Sequence, residues 1–404
     1  MQQSVIISGA GPVGLITALR LAKEGITVTV LEAGKTICQD FRAPAFHSTS
    51  IDIFDALGVL EPIAEIGLKI PTMIFSDRTL NRTVELPFDI LQERGYTNHP
   101  YDLCIGQQAL AQVLYDALAS YDNCEVLFQH EVSTVTQNSD SVSIVCNTPN
   151  GEKSFSTPWL VGADGARSGV RKSLDIPYEG FTWEDRFLLI HTRVDLTEEV
   201  GIVNFMADGP DWRLVLKIPF GAGENEWVTR CVSSVLPEMS DEEAQKPQRL
   251  QNIMQDLSPR DKPYDILESV IYAVNQRVAS KFREGRVMLV GDAAHLNSPL
   301  GGMGLNSGIH DGMNMADKLS QVIKDNAGDE LLDLFALQRR QTTINFIQKN
   351  SIENKESQQE TDIAKREGKI NFLASLADND EGRLQFMKRW MMYDAQEFAE
   401  SVSL

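Results

Sequence analysis

The 404-residue chain is short of cysteine, histidine and positive charge, and each shortage removes a class of function. Its five cysteines (Cys38, Cys104, Cys124, Cys146 and Cys231) include no Cys-x-x-Cys pair, so neither a disulfide framework nor a zinc site is indicated. The six histidines show no metal-ligand spacing, and no metal is expected. Lys and Arg number 37 against 57 Asp and Glu, a formal net charge of −20. A chain of that sign repels a phosphate backbone, so nucleic acid is not an expected partner. No apolar run approaches the ~20 residues of a membrane span. Val5–Leu21 comes nearest to a signal sequence, but it carries a glycine motif and lacks a basic start. These traits together predict a cytoplasmic protein with reduced thiols. There are no repeats or low-complexity tracts, and the length suggests two or three domains at ~100–200 residues each.

What is present begins at the N-terminus. The apolar run Val5-Ile-Ile7 reads as a strand and leads into Gly9-Ala-Gly11-Pro12-Val13-Gly14. An amphipathic helix follows (Leu15, Ala18, Leu19, Ala22), then a strand Val28–Leu31 ending at Glu32. This is a dinucleotide fingerprint in its required strand–turn–helix–strand context. The first glycine permits the tight turn and the second lets a pyrophosphate approach the helix N-terminus. The third allows close helix–strand packing, and the acidic residue accepts ribose hydroxyls.

Two further strand-end turns carry carboxylates. Trp159-Leu-Val161 precedes Gly162-Ala-Asp164-Gly165, with Arg167 and Arg171 close by. By itself this is also an ordinary capped helix start with surface arginines. Val287–Val290 precedes Gly291-Asp292-Ala-Ala-His295, then Gly301, Gly302, Gly304, Leu305 and Asn306. There Asp292 can accept from hydroxyls, and the glycines let backbone N–H groups approach a ligand.

Periodicity places the remaining elements. Helices are predicted at about 50–57, 107–119 and 241–256, and from Gly308 onward through Met313, Ala316, Leu319 and Ile323. Strands are predicted at 83–86, 125–128, 132–137 and 142–147, then at 187–194, 212–218 and 227–232. Beyond Leu332 the pattern is helical and charged, and residues 354–369 read as a solvated helix face. The apolar cluster Phe386–Met392 suggests a terminal helix packing either on the body or on a second subunit.

The three turns, in this order, resemble the para-hydroxybenzoate hydroxylase-like family of FAD-dependent aromatic hydroxylases. The resemblance covers about residues 4–350 and rests on Gly9–Gly14, Gly162–Gly165 and Gly291–Asn306. Smaller matches are Arg42-Ala43, Gln107 before Leu110 and Leu114, and Gly180-Phe-Thr-Trp183. It implies an α/β fold in which a Rossmann-like FAD-binding domain (1–74, 101–180, 276–345) is interleaved with a β-sheet substrate domain (75–100, 181–275). Helices over 346–404 would follow.

The resemblance also implies roles. Gly9, Gly11, Pro12, Val13 and Gly14 would hold the FAD pyrophosphate, Glu32 the adenosine ribose, and Arg42 the pyrophosphate and ribityl region. Gln107 would contact the flavin side, Asp164 would lie near the pyrophosphate, and Asp292 would bind ribityl hydroxyls. Gly304, Leu305 and Asn306 would meet the pyrimidine end of the flavin. A helix N-terminus there would favour an anionic reduced flavin by about 0.3–1 kcal/mol if exposed and ~2 if partly buried.

The implied reaction is hydroxylation of a phenolic small molecule with NADPH or NADH and O2, through a flavin C4a-hydroperoxide. Pro299 would face the substrate through its carbonyl. His47 reads either as a proton relay or as a packed, hydrogen-bonded histidine. Arg213 reads either as a partner for a substrate carboxylate or as an exposed strand arginine, with Tyr272 and His191 as further substrate-side candidates. The prototype's paired tyrosines have no counterpart. Other flavin chemistry (epoxidation, Baeyer–Villiger oxidation, dehydrogenation) and a non-catalytic flavin-binding regulator are the alternatives, and a homodimer is left open.

Overall fold

A computed structural model describes residues 4–37, 45–219 and 227–404. Ser4–Ser8 lies between Thr27–Glu32 and Trp159–Gly162, and all three run parallel. Parallel neighbours need a crossover, which the helix Pro12–Lys23 provides. Proline occupies its first turn, where an N–H would lack a partner, and Leu15, Ala18, Leu19 and Ala22 are buried. Cys124–Phe128 and Val287–Leu289 extend this sheet on its two sides, with Arg283–Glu284 at one edge.

A second sheet has eight strands. Its order is His295–Leu296, Ile266–Ala279, Tyr178–Thr192, Trp227–Val235, Arg213–Pro219, Val203–Ala207, Thr72–Asp77 and Arg82–Pro87. Both faces of its centre are apolar. Leu188, Ile190, Val215 and Cys231 pack with Leu250, Ile253 and Met254 of the helix Pro247–Leu257. Their alternates Phe187, Leu189, Leu214, Leu216, Val228 and Val232 share the opposite side.

Several elements depart from the sequence reading. The helix expected over 241–256 is two, Asp241–Ala244 and Pro247–Leu257, because Pro247 cannot donate to the preceding turn. The helix expected from Gly308 begins at Met303, behind a left-handed Gly302 with φ 67°. The charged stretch at 354–369 is not a wholly solvated face. It spans the helices Lys349–Gln358 and Ile363–Ser375, in which Lys355 and Arg366 are buried. Lys355 donates to both Asp185 oxygens, at 2.8 and 2.9 Å.

The terminal apolar cluster packs on the body. Leu384, Met387, Trp390 and Met391 join Met73, Phe75 and Phe88 in one core. The Trp390 ring meets Phe75 at 5.7 Å and Phe205 at 5.3 Å. Among the described residues no helix is long and apolar enough to cross a membrane, and no group of three or more His, Cys, Asp or Glu could hold a metal. Cys104, Cys124, Cys146 and Cys231 are free thiols. Burial pushes Cys104 up to about 12, which removes it as a nucleophile.

Candidate cofactor and substrate site

The fingerprint glycines are required for three different reasons. Gly9 has φ +107°, and a Cβ there would lie 2.4 Å from the Ala163 carbonyl oxygen. A Cβ on Gly14 would lie 2.0 Å from the Gly9 oxygen, so this glycine lets the helix meet the turn. At Gly11 a Cβ would meet nothing within 4 Å. That open side lies beside the first turn of the helix Pro12–Lys23, whose N–H groups have no intrahelical acceptors. Glu32 ties down two backbone segments at once. Its Oε2 accepts from Ala10 N at 2.7 Å and its Oε1 from Gly34 N at 2.7 Å. It also lines the cleft, where its remaining lone pairs can accept hydroxyls.

Asp164 lies across the turn. Its Oδ2 accepts from Val170 N at 3.0 Å, and its buried Oδ1 has no partner among the described residues. Burial raises its pKa, against the hydrogen bonds it accepts. Nearby Arg171 is not the surface arginine that the capped-helix reading supposed. It is buried, donates to Ala293 O at 2.8 Å and Ala166 O at 2.9 Å, and so joins two cleft loops. Ser168 does cap the short helix Gly169–Ser173, accepting from Arg171 N.

The third turn is held from beneath. Gly291 packs where a Cβ would lie 3.1 Å from Val13, and Gly308 where one would lie 2.9 Å from it. Asp311 is fully buried and accepts from Gly291 N at 3.2 Å, contacts His295 Nε2 at 2.8 Å, and accepts from Arg339 Nε at 2.6 Å. Asp292 is exposed on the cleft, and its carbonyl accepts from the Tyr178 hydroxyl at 2.9 Å. Gly304 and Leu305 line the cleft in the first turn of the helix Met303–Lys324. The Asn306 side chain is committed elsewhere: it accepts from His47 N at 3.0 Å and donates to Ala45 O and Gly302 O.

His47 is 1 % exposed, with Nδ1 2.8 Å from Asp102 Oδ1 and Nε2 2.9 Å from Gly301 O. Both partners are acceptors, so the doubly protonated ring satisfies both. Burial opposes that charge, but Asp102 and the Gly301 carbonyl outweigh it and raise the pKa. The packed, hydrogen-bonded reading therefore describes His47, which clamps the glycine loop. Pro299 is exposed on the cleft, and its carbonyl accepts from Gly302 N at 3.0 Å, closing a turn.

These turns open into one cleft of about 1930 Å³ that runs on to the second sheet. A drug-sized ligand fills roughly 300–1,000 Å³, so the cleft has room for a dinucleotide cofactor and a second molecule. Its far wall is the apolar face of Phe187, Leu189, Leu214, Leu216, Val228 and Val232. Arg193, Glu268 and Asn275 also line the cleft, and polar residues interrupt that wall, among them His191, Arg230 and Tyr272.

Their protonation follows from geometry. Arg230 Nε donates to His191 Nε2 at 2.7 Å, and His191 Nδ1 lies 2.7 Å from Glu268 Oε1. A guanidinium cannot accept, so Nε2 carries the lone pair and Nδ1–H donates to Glu268. The imidazole is therefore neutral. Burial, reinforced by Arg230, pushes its pKa down to about 4 despite Glu268. Burial also lowers Arg230 to about 10 and raises Tyr272, which remains a neutral phenol.

The structure thus brings the three glycine turns, Gln107, Pro299, His47, His191 and Tyr272 to one cleft. Arg42 lies outside the described residues. Arg213 is a correction on both of its readings. It is 5 % exposed, donates to the carbonyls of Asp211 and Trp212, and lies 3.8 Å from Asp256. Its neighbour Leu214 lines the cleft instead. Sequence reasoning missed Arg230, Glu268, Asp102, Asp311 and Arg339. Only Arg230 carried a signal, as the cation between Val228 and Val232 in a predicted strand.

Gly11's open side, the unpartnered oxygen of Asp164 and a helix N-terminus in one cleft fit a pyrophosphate-linked cofactor. Known proteins of similar sequence and fold agree. Residues 2–350 match the model of the FAD binding domain family. The chain is 31% identical over 365 residues to para-nitrophenol 4-monooxygenase of Pseudomonas sp. (strain WBC-3), covering 90% of this chain and 89% of that one. It is 32% identical over 356 residues to 6-hydroxy-3-succinoylpyridine 3-monooxygenase of Pseudomonas putida, covering 88% of each. The crystal structure of p-nitrophenol 4-monooxygenase from Pseudomonas putida superposes with a TM-score of 0.90 at 27% identity, over 99% of this chain and 100% of that one. The chain belongs to the FAD-dependent aromatic monooxygenases. It is an enzyme, and FAD is its cofactor.

Proposed function

We propose that this enzyme hydroxylates a small, single-ring phenol at the expense of NADPH or NADH and O2. One observation carries the reading: a single cleft joins the dinucleotide fingerprint to an apolar sheet wall interrupted by only a few polar side chains. The relatives' names support the substrate class, since one acts on a nitrophenol and another on a hydroxylated pyridine.

Bound FAD supplies hydride acceptance from the nicotinamide and activation of oxygen. The chain's own residues do the rest. Gly9, Gly11 and Gly14 admit the pyrophosphate, while Glu32 and Asp292 accept hydroxyls of the two sugar chains. The N-terminus of the helix Met303–Lys324, held by Asn306 and His47, offers backbone N–H groups to developing negative charge. The apolar wall, with Trp390 from the terminal helices, excludes water and orients the ring. In this reading residues 181–275 with 75–100 form the substrate-binding part. A cytoplasmic location and a homodimer belong to the same proposal, and sedimentation of the purified chain checks the dimer.

The test is to give FAD-loaded protein NADH or NADPH with a panel of phenols, following reductant, peroxide and product mass together. Ligand-stimulated oxidation with one oxygen atom gained is expected. Oxidised product without added oxygen would instead identify another flavin chemistry, which the fold alone does not exclude.

A further inference from the structure

The strand registers arrange the apolar wall of the cleft as one straight track. Phe205 lies opposite Leu214, Leu214 opposite Val232, Val232 opposite Leu189, and Leu189 opposite Val270. Residues in register share a face of the sheet, and all five of these line the cleft. The track therefore crosses five strands at ~4.8 Å spacing, a length of about 19 Å. Two residues along each strand the same face is mixed, with Val203 and Leu216 followed by Arg230, His191 and Glu268. One end of the track is closed by aromatic rings: Phe205 stacks on Phe75 at 5.5 Å and meets Trp390 at 5.3 Å. The other end is open and aliphatic, since Val270 lines the cleft yet is 42% exposed. A continuous apolar surface held open to water is unfavourable and marks a face that binds something apolar. A single ring spans little more than one strand spacing, so most of the track lies beyond its reach.

We infer that the phenol ring carries an elongated apolar arm, of the alkyl-chain kind, which lies along this track and points to Val270. The ring takes the closed end, where Phe205 and Trp390 offer faces and edges to it. This deepens the hydroxylase reading and rests on it. The wall then reads length: each further methylene leaves water for Leu214, Val232, Leu189 and Val270 in turn, with no new polar contact.

The test needs no turnover. FAD-loaded protein is titrated, without reductant, with 3- and 4-n-alkylphenols from methyl to nonyl, and dissociation constants are read from the flavin spectrum. In at least one series affinity is expected to rise roughly two- to fourfold per methylene. Val270→Asp alters an exposed position. It should leave the methyl members within about twofold and weaken the nonyl member roughly tenfold or more. Should Val270→Asp fail to retain FAD, Val270→Ser is expected to give the same pattern with a smaller loss. Affinity flat beyond the methyl member, as it would be if the flavin covered the track, overturns the inference. So does binding by no member, or a variant that treats every length alike. If Val270→Asp changes sedimentation and not the length profile, a second copy of the chain covers that end and the inference falls. Length-dependent binding with no oxygen in any product would sink the hydroxylase reading and leave the track standing. Hydroxylation of phenols bound without regard to length would do the reverse.

Discussion

Arg339 and Asp311 form an ion pair with both side chains fully buried, Nε to Oδ1 at 2.6 Å, and the other Asp311 oxygen holds the turn that carries Asp292. Two consecutive helices, Met303–Lys324 and Glu330–Thr342, thereby fix one edge of the cofactor cleft. Breaking such a pair leaves a charge buried without compensation.

Asp311→Ala is therefore expected to cost about 3–5 kcal/mol in urea unfolding, and to weaken FAD binding as the turn loosens. The double replacement Asp311→Leu with Arg339→Met should recover much of the stability. An unchanged unfolding midpoint in Asp311→Ala would refute the assignment.

The same pair sets an acid limit. Burial raises the Asp311 pKa, but Arg339 and then His295 bring it down to about 2, below its ordinary 3.8. A lowered folded value gives stability that is full above about pH 4 and lost as pH falls through about 2. Acid titration of unfolding should show this loss in wild type and not in the double variant.

His47 sets the opposite limit. Its pKa is raised above 6.5, so its contribution is full below that value and fades as pH rises through the higher folded one. Of the charged groups around it, Asp102 favours the imidazolium and the neutral ring of His310 adds none. FAD release, followed by flavin fluorescence, should increase on the alkaline side. His47→Phe should release FAD more readily and lack that limb. Superimposable pH profiles would count against the clamp.

The glycines separate folding from binding. Gly14→Ala forces a Cβ against the Gly9 carbonyl and is expected to destabilise the FAD-free protein by about 3 kcal/mol or more. Gly11→Ala should melt like wild type yet bind FAD roughly tenfold more weakly, a loss of about 1.4 kcal/mol. Wild-type FAD affinity in Gly11→Ala would show that the open side of Gly11 is not the pyrophosphate seat.

Trp390 tests the terminal helices. Removing this ring from between Phe75, Phe205 and Phe386 in Trp390→Ala should cost about 3–5 kcal/mol. Because Trp390 also lines the cleft, substrate KM is expected to rise with FAD affinity preserved. An unchanged KM would confine the helix to a structural role.

The cofactor half of the molecule was legible in the chain alone. Gly9, Gly11, Gly14, Glu32 and the Asp164 and Asp292 turns are local devices, readable because strand, turn and helix follow one another within a few residues. The sheet side of the cleft was decided by tertiary packing. Arg213 and Arg230 sit in neighbouring strands with similar apolar company, yet only Arg230 faces the cleft. Both faces of that sheet are apolar, one beneath the helix Pro247–Leu257 and the other lining the cleft, so Leu188 and Leu189 are equally apolar and the pattern of alternation that would reveal facing is absent. The Glu268–His191–Arg230 row needs three strands in register, and the Asp311–Arg339 and His47–Asp102 pairs span 28 and 55 positions. Separations of that kind leave no mark in a linear chain; they exist only once the sheets have paired and the helices have docked.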